Sequence, residues 1–303
     1  MKATHRRGVY VHLVDGTYEL FRHHFGAPPA QDRAGNPVGA LRGVLASILH
    51  LLETGATHVG VATDHVVESF RNELWEGYKR GDSIEPELKA QFQPLEDALG
   101  ALGVVVWPMV EYEADDALAS AAARAGEDDQ VGRVFVCTPD KDLCQCVRED
   151  RIVQFDRRKR EVRNAEGVRK RFGVPPESIP DYLALVGDAA DGFPGLRGWG
   201  AKTAGTVLGR YLKLEAIPRD ASVWDVSVRG GKRLARALRE GWEEALLFRD
   251  LATLRTDVPV FEDVESLRWR GPKPAFETLA EELGAPGLWG RATRAAEERV
   301  GSE

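Results

Sequence analysis

Val9-Tyr10-Val11-His12-Leu13-Val14-Asp15-Gly16 is a short apolar run, rich in β-branched residues, that stops at an acid and a glycine. Such a run reads as a buried strand, with Asp-Gly as the turn that ends it. The same pattern recurs outward along the chain. His58 to Thr63 predicts a second strand ending at Asp64, Val104 to Trp107 a third, and Val134 to Thr138 a fourth that runs on to Asp140 and Asp142. Between them Leu41, Val44, Leu45, Ile48, Leu49 and Leu52 fall at helical spacing, and Ala114 to Ala125 is an alanine-rich helix opened by Glu113, Asp115 and Asp116. Strands alternating with helices require crossovers, which predicts an α/β fold with a mainly parallel sheet flanked by helices.

Adding Asp188 and Asp191 makes nine carboxylates in five short clusters. A lone Asp after a strand is commonly a cap or turn residue. Acids at four strand ends or helix starts argue for more, because parallel strands deliver their C-terminal ends to one edge, where open α/β folds place ligands. At the helix start Glu113 and Asp116 share a face and Asp115 lies off it, so one turn offers oxygen ligands in two directions. Gathered carboxylates repel and resist joint ionisation. Divalent cations relieve this: oxygen-rich sites suit Mg2+ or Mn2+, and ion pairs of this kind cut phosphodiesters.

At 303 residues the chain suggests one large domain and a smaller one. The division expected is residues 1–180 as the α/β domain and 181–303 as a helical domain with a partly patterned tail, since strand signals fade past Asp181. Residues 69–92 mix polar, charged and aromatic side chains around Gly77 and Gly81, and read as an exposed excursion. The net charge of −7 looks wrong for a nucleic-acid protein. Local charge says otherwise: Arg151 to Gly173 carries nine Lys/Arg against three acids, and Arg229, Lys232, Arg233, Arg236 and Arg239 follow. Three cysteines offer neither a disulfide framework nor a zinc pair, and no apolar run approaches a membrane span, so a cytoplasmic protein without membrane contact is expected. Gly195-Leu-Arg-Gly198-Trp-Gly200-Ala-Lys202-Thr203-Ala204 is a glycine-rich turn entering a helix. Its free N–H groups suit a phosphate, which makes Gly198, Gly200, Lys202 and Thr203 candidate DNA-backbone contacts.

Asp15-Gly16, Ser69-Phe-Arg71 with Tyr78-Lys79, Tyr112-Glu-Ala-Asp-Asp116, Asp140-Lys-Asp-Leu143 with Gln145, and Asp181 through Asp191 to Pro194-Gly195 resemble, in order, the bacterial and phage 5'-nuclease (flap endonuclease) family. Arg255-Thr-Asp-Val-Pro259 extends the likeness. The resemblance implies a PIN-like nuclease domain, a helical arch around 69–92, and a helix-hairpin-helix at 195–204 that holds duplex DNA, often with K+. It implies a stand-alone relative of the nuclease part of DNA polymerase I. It also assigns Asp15 and Asp64 to a first metal, Asp115 between metals, and Asp140, Asp142 and Asp191 to a second. Glu113 would act through water, with Asp116 and Asp188 extending the acidic shell. Lys79 and Arg71 would reach the scissile phosphate, where fixed positive charge stabilises the transition state. Phe21 and Tyr78 are candidates to stack on an unpaired base, and Arg22 and Arg80 to meet phosphates; Trp75 reads as structural.

The implied activity is metal-dependent, structure-specific hydrolysis at 5' flaps, nicks and 5' ends of DNA or RNA primers, by a monomer near the nucleoid, with RNA–DNA hybrids as further substrates. Two departures stand out. Asp82 takes the place where the family usually has a second basic residue, and Ala190 and Gly192 replace a Ser and an Asn beside the last acidic pair, which predicts looser metal binding there. The rival readings are a DNA-structure binding protein with weak or lost chemistry, and a PIN-type ribonuclease.

Overall fold

The computed structural model describes residues 9–26 and 28–300. They form two compact units: one from the chain up to Val67, Gly81–Thr138 and the chain from Thr256 onward, the other from Glu68–Arg80 and Pro139–Arg255.

In the first unit the four expected strands are present: β1 (Val9–Asp15), β2 (His58–Asp64), β3 (Val105–Met109) and β4 (Val131–Cys137). They run parallel in the order β3-β2-β1-β4. The chain therefore walks outward from β1 to β3 and then returns to the other side of β1, a reversal of the kind that opens a crevice at the strand C-termini. Helix Ala114–Glu127 packs on the strands, and helices Gly16–Gly26 and Phe92–Ala101 pack against β2 and β3 with Gly39–Glu53 behind them. Because the sheet is covered, β2 is buried from His58 through Thr63 rather than alternating. Gly60 is required here, since a Cβ would lie 2.3 Å from the Trp107 ring.

The C-terminal tail corrects the expected domain division. It packs in the first unit: Val258 N–H donates to Ser120 Oγ, Trp107 Nε1 to Val260 O at 2.7 Å, and Trp269 Nε1 to Leu102 O at 2.7 Å. Helices Ala275–Glu282 and Gly287–Val300 then follow, the second tied to Gly39–Glu53 through Arg291 and Glu53.

The second unit holds the antiparallel pair Ile152–Asp156 and Glu161–Arg163, then helices Ala165–Phe172, Ile179–Val186, Ala201–Tyr211, Gly231–Glu240 and Trp242–Ala252. Its core joins Leu183, Leu185, Phe193, Trp199, Leu208, Phe248 and Leu251. Helix Ile179–Val186 ends at Gly187, and a tight loop to Gly200 leads into Ala201–Tyr211, so a helix-hairpin-helix is formed.

The excursion at 69–92 is a second correction. It forms only helical turns, Arg71–Leu74, Gly81–Ser83 and Pro86–Lys89, before the helix at Phe92. Much of it is exposed as expected, Glu73, Glu76, Arg80 and Glu87 among others, but it is anchored through Arg71, Tyr78, Leu88 and Phe92, which are buried.

Candidate active site

The acids of the first unit sit where the parallel strands end. Asp15 closes β1 and is buried; its Oδ1 accepts from Tyr18 N–H at 2.8 Å, capping the helix that follows, and its Oδ2 accepts from Thr138 Oγ1 at 3.0 Å. Asp64 closes β2 and accepts from Ala114 N–H at 2.8 Å, which docks the start of helix Ala114–Glu127 against the strand end. Glu113 is the N-cap of that helix, and Asp116, wholly buried, accepts the Glu113 N–H at 3.0 Å in a capping box. Asp116 thus fixes Glu113, while Asp115 is the part-exposed acid of this turn.

The second unit gathers Asp142, Asp188 and Asp191 so that a carboxylate oxygen from each lies within 4.8 Å of the others. Local structure explains the approach. Asp188 and Phe193 exchange backbone hydrogen bonds, pinching 188–193 into a loop, and Ala190 N–H donates to Asp188 Oδ1 at 3.0 Å. Asp140 stays exposed beside the cluster, where its Oδ1 accepts from Asp142 N–H at 2.9 Å and its carbonyl from Gln154. Two lysines face the acids: Lys79 Nζ lies 3.1 Å from Asp191 Oδ1, and Lys141 Nζ pairs with Asp188 and lies 3.9 Å from Asp142. Lys141 was missed in the sequence reading, although its place between Asp140 and Asp142 was the available signal.

Burial, reinforced by Asp140, Asp191 and Asp188, raises the Asp142 carboxyl well above the usual range. Burial alone would lower the Lys141 ammonium, but Asp142, Asp188 and Asp140 outweigh it and hold it above its ordinary value. Asp142 Oδ1 is buried and has no hydrogen-bond partner among the described residues. A buried unsatisfied oxygen among converging carboxylates fits a hard divalent cation, which takes oxygen ligands and repays the desolvation. The donors here are all oxygen, which suits Mg2+ or Mn2+ rather than a softer ion.

Other expected site residues lie elsewhere. Arg71 is 1% exposed and donates to the carbonyls of Leu251 (2.8 Å) and Thr253 (3.2 Å), so its guanidinium is held in the core and cannot serve a phosphate without unfolding that contact. Tyr78 is buried in the second unit's core, which removes its ring from base stacking. Trp75 donates to Gly192 O at 3.0 Å and meets Phe248 edge-on. Phe21 packs edge-on against Phe92, and Arg22 pairs with Glu19 at 2.5 Å. Arg80 is exposed. Gly192, with φ +82, approaches so closely that a Cβ would sit 2.0 Å from Gly77 O, a physical reason for glycine where the family usually has Asn.

In the hairpin, Gly187 and Gly195 touch backbone to backbone and Gly198 takes φ +88. Gly198, Gly200 and Lys202 are exposed, Thr203 is half-buried, and the N–H groups of Gly198 and Gly200 donate to no other described residue. The loop therefore presents unpaired backbone donors at the start of a helix.

The family model described as 5'-3' exonuclease, N-terminal resolvase-like domain, matches residues 10–173, and the 5'-3' exonuclease, C-terminal SAM fold, matches 174–275. The chain belongs to the 5'-3' exonuclease family. Among relatives of this family member, the 5'-3' exonuclease of Aquifex aeolicus is 32% identical over 264 residues, 86% of this chain and 87% of that one. DNA polymerase I of Pseudomonas aeruginosa is 34% identical over 265 residues, 84% of this chain but 28% of the polymerase, so the chain spans less than a third of that relative's length. In fold it is similar to a bacteriophage T5 flap endonuclease solved with DNA and metal ions, at TM-score 0.61 and 18% identity, covering 95% of this chain and 99% of that one.

Proposed function

We propose that this 5'-3' exonuclease family member is a metal-dependent, structure-specific 5' nuclease. It would hydrolyse phosphodiesters at 5' flaps, nicks and 5' ends of DNA, and of RNA primers on RNA–DNA hybrids, as a monomer at the nucleoid during replication and repair. The observation that carries the reading is one loop: Asp188 and Asp191 open it beside Asp142, whose Oδ1 accepts no hydrogen bond, and Gly198 and Gly200 close it as a hairpin with undonated backbone N–H groups.

Asp142, Asp188 and Asp191, with Asp140 alongside, would hold Mg2+ or Mn2+; Asp15, Asp64 and Asp115, with Glu113, are proposed for a further ion. A divalent ion so held supplies activation of water and stabilisation of charge on the leaving 3'-oxygen. The chain's own part is positioning. Thr138 and Tyr18 N–H fix Asp15, Ala114 N–H fixes Asp64, and Asp116 fixes Glu113. Lys79, beside Asp191, supplies a charge within reach of a phosphate. Gly198, Gly200, Lys202 and Thr203 take the duplex backbone without reading bases, and K+ is the ion proposed at that hairpin.

The test is incubation with 5'-labelled flap, nicked and single-stranded DNA in Mg2+ or Mn2+, beside Asp140→Ala/Asp142→Ala. Metal-dependent cutting near the flap junction that vanishes in the variant is expected. Flap binding with no cutting in saturating Mn2+ would instead identify a binding protein, and preference for free RNA a ribonuclease.

A further inference from the structure

Residues Arg229 to Arg239 carry five bases and no acid, in a chain of net charge −7. A merely solvated helix face mixes signs at i,i+4 spacing, whereas here a single acid, Glu240 at the helix end, meets these bases and pairs with Arg236. Within it, helix Gly231–Glu240 buries Leu234, Ala235 and Leu238, which fixes the opposite face outward. Arg233 and Arg236 share that face at i,i+3 spacing and line one wall of a cleft of about 710 Å3; Arg197 and Gly198 of the hairpin line the other. The approach is close, since a Cβ on Gly198 would lie 3.9 Å from Arg233 Nε. The guanidinium groups of Arg197 and Arg233 have no ion-pair or hydrogen-bond partner among the described residues, and that of Arg236 is engaged by Glu240 alone, at 2.7 Å, while 69% exposed. Unpaired guanidinium forks beside unpaired backbone N–H groups are the donors that phosphodiester oxygens accept from, and no aromatic ring lines the cleft to stack a base.

We infer that the arginine face of helix Gly231–Glu240 and the hairpin loop at Arg197–Gly198 form one phosphate-binding cleft that takes the backbone of duplex DNA. This rests on the nuclease reading and extends its DNA contacts to a helix outside the hairpin motif. The contact is independent of sequence, and because Glu240 and Glu244 also line the cleft, phosphates are expected beside Arg197 and Arg233 rather than beside the acids.

The experiment is fluorescence anisotropy of a labelled blunt duplex in EDTA over a salt series. Each phosphate contact adds about 0.9 to the slope of log K against log salt, so Arg233→Gln/Arg236→Gln should flatten it by roughly 1.8. Melting temperature should not change, because both side chains are exposed. Arg233→Lys/Arg236→Lys should keep the wild-type slope, as charge is conserved. An unchanged slope in the glutamine pair, or a flattened one in the lysine pair, would overturn the inference. Cleavage by the wild type is scored separately: a wild type that neither cuts nor binds duplex defeats the nuclease reading, whereas a wild type that cuts beside an unchanged glutamine-pair slope defeats only this one.

Discussion

Asp142 carries two opposed demands. Its carboxylate is buried with three acids around it, which costs stability, and its Oδ1, which accepts no hydrogen bond, is the group best placed to receive a cation. Asp142→Asn removes one of the clustered charges and should raise the melting temperature in EDTA by roughly 2 °C while abolishing cleavage, a split that calorimetry and a flap assay read together. Arg71 and Lys79 separate in the opposite sense. Arg71→Ala leaves the Leu251 and Thr253 carbonyls unpaired in the core and should cost about 2–4 kcal/mol in urea unfolding. Lys79 is part-exposed and its pair with Asp191 adds little stability, so Lys79→Ala should leave the urea midpoint nearly unmoved and slow cleavage by about 100- to 1000-fold.

At the scale of elements, two glycines set one close crossing. Helix Ala201–Tyr211 lies against the end of helix Ala165–Phe172 through Gly205 and Gly209, and a Cβ on Gly205 would sit 2.4 Å from Phe172 O. Gly205→Ala should destabilise by about 2 kcal/mol and weaken duplex binding, because the helix that carries Lys202 and Thr203 must shift. At the start of β2, His58 is buried beside Thr57 and Glu265, and burial lowers its pKa despite the Glu265 hydrogen bond. A histidine with a folded pKa below its unfolded value of 6.5 contributes stability above that value and loses it as the pH falls toward the folded one. His58→Asn should therefore shrink the drop in melting temperature between about pH 7.5 and 5; an equal drop would place the sensitivity elsewhere.

Across the whole molecule, the acids divide five and four between two compact units, so occupancy by metal should register first as stability of the second. At about 100 times its dissociation constant, Mn2+ should stabilise that unit by about 2.7 kcal/mol, with the gain reversed by EDTA and absent in Asp142→Asn. Net charge is a poor guide to this chain's partner: nine of the 48 acids behind it are the clustered ones, and Arg197, Arg233 and Arg236 line one cleft beside the hairpin.

The strands, the acids at their ends and the hairpin glycines were legible because each depends on local rules: short apolar runs rich in β-branched residues, turn chemistry and the φ that only glycine accepts comfortably. Asp15, Asp64 and Glu113 stand at strand ends or a helix start for that reason, and the order of motifs carried the family. What the sequence left open depended on partners far along the chain. Arg71 is committed to carbonyls 180 and 182 positions away, Trp107 holds the tail through Val260, and Gly192 is shaped by Gly77. Lys141 could be read as a neighbour of two acids, but only the fold turned it onto Asp188. Backbone propensity and patterning act over a few residues and are written in the chain; burial and ion pairing are settled by which distant segments meet, and tertiary structure alone decided those.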